Sequence, residues 1–121
     1  MIGVVKVTVN IYDDINRLEA TFRKTDEFAA LVRAIENVRA DEEALNIFRN
    51  FRKIQMDLQQ KQMAGEEIDG DVLEYAQKTA QLAQNNAKIA GMLQAEMQLS
   101  RIIEEVNRIL MKPVQSLYEE I

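Results

Sequence analysis

Ala44, Ile47, Phe51, Ile54 and Leu58 step by three, four, three and four residues, the spacing that places side chains on one face of a helix. The pattern recurs through most of the chain, and it constrains the fold to packed helices. The only proline, Pro113, lies near the C-terminal end, so nothing before it interrupts helical geometry by removing an amide hydrogen. The expected fold is all-α: an antiparallel bundle of about five to six helices with long central helices, completed by dimerisation. The 121 residues are expected to form a single helical domain, 1–121.

Helix starts are marked by side chains that can accept from free backbone amides. Asn10 caps a first helix carrying Ile11, Ile15, Leu18 and Phe22, and Thr25 caps a second carrying Phe28, Leu31, Val32 and Ile35. Asp41, followed by Glu42 and Glu43, opens a long third helix reaching about Met63. Gly65 is placed to end it in a left-handed cap, and the polar turn from Glu66 to Asp71 reverses the chain. A fourth helix from Asp71 carries Leu73, Ala76, Ala80, Ala83, Ala87 and Ala90. That small-residue row reads either as a seam for close helix approach or, with Leu82 and Ile89, as an ordinary core face.

Continuing the alanine register would bring Gln94, Arg101 and Glu104 onto the seam, whereas Met92, Ala95, Leu99, Ile102, Val106 and Ile109 form an apolar row two residues out of phase. A boundary near Asn86 is therefore expected, with a fifth helix to about Met111. Pro113 then sets off a short terminal helix, 113–121. At the other end, Val5, Val7 and Val9 alternate with polar residues, so 1–9 is expected to be extended, either pairing with its copy or leaning on the core.

The chemistry available is narrow. Histidine and cysteine are both absent, which removes thiolate metal sites, disulfides, histidine-completed metal sites and histidine-activated nucleophiles. Placing Gly70 at the sixth position of a calcium loop puts Gly65 first and Ala76 last, and neither offers a carboxylate. The four glycines are too scattered to cradle a phosphate. We therefore expect no catalytic residue, no cofactor and no metal. A net charge of -5 disfavours nucleic acid as a direct ligand. Arg49, Arg52 and Lys53 share a helical face, but an RNA-contacting module needs them to converge with Arg101, Arg108 and Lys112. No apolar run is long enough to span a bilayer, no secretion signal is evident, and the expected address is the cytoplasm.

Two runs carry a resemblance. Phe51 to Ile68 and Ile109 to Tyr118, with the opening Val9-Asn10-Ile11-Tyr12-Asp13 and the Glu27-Phe28-x-x-Leu31 pattern, are similar to the YlbF/YmcA family of small bacterial helical proteins, most closely its YheA-like branch. The resemblance covers about residues 8–120. It implies a helical fold that forms dimers, and a role in protein complexes rather than catalysis. Known relatives act as regulatory partners in competence, biofilm formation and sporulation, through a complex tied to messenger-RNA processing. An accessory module contacting RNA or a ribonuclease complex is the alternative role it implies. The iron–sulfur binding of the relatives' complex needs cysteine and does not transfer.

Helices of 20–25 residues are about 30–38 Å long, and two such rods leave apolar stripes that short helices cover only in part. A homodimer is expected to bury the remainder, and other protein partners are possible. The expected protein-interface residues are Phe51, Ile54, Leu58, Ala83, Ala87, Leu99, Ile102, Val106 and Ile109.

Overall fold

A computed structural model describes residues 9–121, which form five helices: α1 (Ile11–Phe22), α2 (Asp26–Arg39), α3 (Glu42–Met63), α4 (Gly70–Asn85) and α5 (Ala87–Glu119). No strand occurs among the described residues. Val5 and Val7, on which the expectation of an extended N-terminus mainly rests, lie outside them, and Val9 is exposed without regular structure.

The caps fall where the side chains demand them. Asn10, Thr25, Asp41, Asp69 and Asn86 each accept a hydrogen bond from an amide of the first turn that follows. Thr25 also donates its hydroxyl to the Phe22 carbonyl at 2.8 Å, and the Phe22 and Phe28 rings meet edge-on at 5.8 Å, so the corner between α1 and α2 is held on both sides. Gly65 takes the left-handed conformation, φ 72°, that ends α3 at little steric cost. At Asn86 an extended backbone separates α4 from α5, and its carboxamide oxygen accepts from both Lys88 and Ile89. The phase shift of the apolar row is thus resolved by a break.

α2 packs chiefly on α5, and α3 on α4. Ala44 at the start of α3 shares the core with Ala83 at the end of α4, while Ile54 and Ala64 face Val72 and Tyr75 across a cleft, so α3 and α4 run antiparallel. The core is small: Val38, Ala44, Ala83, Ile89 and Met92 form its buried cluster, ringed by half-buried residues such as Leu31, Ile35, Phe48 and Phe51. The alanine row serves this core only at Ala83; Ala87 and Ala90 are exposed, as is Leu82. Thr79 is buried with its hydroxyl donating to the Tyr75 carbonyl at 2.8 Å, which satisfies it.

One expectation is corrected. The chain beyond Pro113 is not a separate terminal helix: α5 runs through it as one helix of 33 residues. Proline removes the bond to the carbonyl four residues earlier, that of Ile109, and here that residue is itself exposed, so water can satisfy the freed oxygen.

Candidate protein–protein interface

α5 passes through three environments along its length. Ile89, Met92 and Leu99 are buried against the body; Ile102 and Val106 are half-covered; from Asn107 onward every residue is exposed. The apolar row is continuous, but its cover is not. Ile109, Leu110, Val114, Leu117 and Tyr118 stand 40–73% exposed on the projecting end.

α1 presents the complementary situation. Its apolar stripe is regular, yet Ile11, Ile15 and Leu18 remain about half exposed at 53%, 47% and 46%. Ile15, Leu18 and Phe22 face Ile102, Ile103 and Val106 across a cleft of about 350 Å³ whose lining is almost wholly apolar. Two unpartnered stripes therefore meet in one surface. Individual exposed leucines are ordinary on folded proteins, whereas a contiguous apolar surface of this kind marks a contact site.

The expected interface residues divide on this geometry. Ile102 and Val106 wall the cleft, and Ile109 continues from it into solvent. Ala87 is exposed at the start of α5, away from that surface. Ala83 and Leu99 are enclosed by the chain's own helices. Phe51 packs on the core with its ring 6.4 Å from Phe48, while Ile54 and Leu58 are half-buried, Ile54 in the cleft facing α4. Ile11, Ile15, Leu18, Leu110 and Leu117, not singled out as interface from sequence, are exposed as well. Their periodicity is evident; which stripe stays uncovered depends on where the neighbouring helices lie.

The basic residues do not converge as an RNA-binding module requires. Arg49, Arg52 and Lys53 line one groove that reaches α5 at Met92 and Glu96. Arg108 lies about 18 Å further along that helix, where it is ion-paired with Glu105. Its partner's carboxyl is held below the usual range chiefly by that hydrogen bond. No group of three or more metal-ligating side chains gathers among the described residues, and no described helix is long and apolar enough to cross a membrane.

Residues 11–115 match the family described as "Control of competence regulator ComK, YlbF/YmcA". A protein of Lysinibacillus sphaericus classed only as UPF0342 is 68% identical over 113 residues, which is 93% of this chain and 98% of the relative. YheA of Bacillus subtilis is 46% identical over 112 residues, covering 93% of this chain and 96% of that one. The crystal structure of Bacillus subtilis RicA in complex with RicF is similar in fold, with a TM-score of 0.65 at 20% identity over 89% of this chain and 96% of that one.

Proposed function

From the premise that the chain belongs to the YlbF/YmcA family and is a YheA-like member of it, we propose that it is a non-catalytic regulatory adapter, a homodimer that works through protein–protein contacts in the cytoplasm. The family's description points to control of competence, and processes of that kind, biofilm formation and sporulation among them, are the setting the proposal gives it. That a protein of the same fold is found in complex with another protein favours such a role.

The observation that carries the reading is surface area. A compact monomer of 13.9 kDa is expected to expose about 6,700 Å². This chain exposes 10019 Å². Residues 1–8, even counted as fully unfolded chain, account for only about 1,200 Å² of the difference. The remaining excess of about 2,000 Å² per chain, about 4,000 Å² for two copies, falls in the range that obligate dimers bury in total. α1 and the projecting end of α5 supply apolar surface of the right kind, and a two-fold arrangement lets each copy cover the other.

Leu110 and Leu117, 60% and 65% exposed, can take a charge without disturbing the body of the subunit. The double variant Leu110→Asp, Leu117→Asp is expected to weaken self-association about a hundredfold or more while keeping its helical circular-dichroism spectrum. Light scattering measures the mass. A variant that assembles like the wild type would remove this surface from the interface.

A further inference from the structure

α3 carries two faces. Phe51 turns toward the core and Ile54 toward α4, whereas Leu45, Phe48, Arg49, Arg52, Met56 and Gln60 line an open groove of about 600 Å³. Its far wall is α2, through Leu31, Ile35, Val38 and Arg39, and α5 contributes Met92 and Glu96. The residues on α3 span Leu45 to Gln60, about 22 Å of helix, or four turns. The floor is apolar and the rim is charged.

The sign of that rim is the informative feature. Arg39, Arg49, Arg52 and Lys53 border the groove against only Asp57 and Glu96. None of the four has an ion-pair partner among the described residues. Lys24, Arg33, Lys61, Arg101 and Lys112 have none either, so what sets these four apart is that they gather on one groove. In a chain with 20 acidic residues and a net charge of -5, a surplus of unpaired positive charge along an apolar cleft runs against the composition. Nucleic acid fits it poorly, because Asp57 and Glu96 face the same space as the four cations and would repel a phosphate backbone.

We propose that this groove is a docking site for an acidic amphipathic helix of a partner protein, about 15 residues long. The proposal rests on the adapter reading and specifies the partner's chemistry. Apolar residues of the incoming helix at i, i+3, i+4 and i+7 would lie on Leu31, Phe48 and Met56, with glutamates or aspartates on its flanks reaching Arg39, Arg49, Arg52 and Lys53. Met56, exposed on the groove, is unbranched and adaptable, which suits a surface that accommodates a helix arriving from solvent. The basic rim raises the rate of encounter and selects acidic over basic helices.

The test uses the intact protein and a fluorescein-labelled amphipathic helical peptide of about 15 residues, with leucines on one face and glutamates on the other, beside a sibling carrying lysines in place of the glutamates. Fluorescence anisotropy is expected to show the glutamate peptide binding at least about tenfold tighter than its sibling, with an advantage that shrinks as salt rises. The exposed pair Arg49→Glu, Arg52→Glu is expected to weaken the glutamate peptide about tenfold and to invert the preference. Absence of binding, or binding indifferent to the charge reversal, overturns the proposal. So does a loss of self-association in the charge-reversed variant, which makes the occupant a second copy, or charge-dependent binding of an RNA oligomer in place of the peptide. Failure here is distinguishable from failure of the adapter reading, because self-association is read independently through the Leu110→Asp, Leu117→Asp variant.

Discussion

Asp41 shows how a single side chain ties two parts of the chain together. One carboxylate oxygen accepts from the Ala44 amide at 3.2 Å and caps α3; the other lies 3.1 Å from the Lys88 ammonium in the first turn of α5. The amide bond first, and the Lys88 contact second, hold this carboxyl below its ordinary value of 3.8. A lowered value in the folded state means that the ionised carboxylate stabilises the fold above pH 3.8 and that the contribution is lost as acid titrates it below. Asp41→Asn keeps a capping oxygen but not the charge. Its melting temperature is expected to fall below that of the wild type at neutral pH, with the gap closing as the pH drops beneath 3.8, a trend thermal melts across an acid series can follow. Equal melting temperatures at every pH would assign the role of Asp41 to capping alone.

At the scale of elements, α5 is the axis of the molecule, and its sequence is a compromise between packing and reach. Gly91 lies within it, and a Cβ built there meets nothing within 4 Å. Gly91→Ala is therefore expected to stabilise the protein by about 0.5–1 kcal/mol, raising the melting temperature by about 2–5 °C. A lower melting temperature would mean that the open space beside Gly91 is filled in the assembled protein. The helix starts were legible in the sequence because Asn10, Thr25, Asp41 and Asn86 are each a local signal, fixed by the hydrogen bond the side chain can make. The break at Asn86 was legible for another reason: the apolar row changed phase. Pro113 misled, because its cost is paid against the solvent-facing Ile109 and the helix survives it. The candidate interface was legible only in part. Periodicity identifies Ile15 and Leu18 as one stripe and Ile102 and Val106 as another, but which stripes cover each other is decided by contacts between distant helices.

The whole molecule joins a small core to a large surface. Five side chains form the buried cluster, yet helices of 22 and 33 residues extend beyond what that cluster can organise. The distribution makes sense if folding is finished by association, with the exposed stripes of α1 and α5 closed by a second copy and the basic groove beside α3 left for a different protein. The two surfaces meet α5 at different levels, Met92 and Glu96 for the groove and Ile102 to Val106 for the apolar cleft, so self-association and partner binding can coexist on one helix. Sedimentation equilibrium of the unmodified protein at low micromolar concentration tests this most directly. The account predicts a species of twice the 13.9 kDa chain mass. A single folded 13.9 kDa subunit, stable to dilution and to heat, would contradict it.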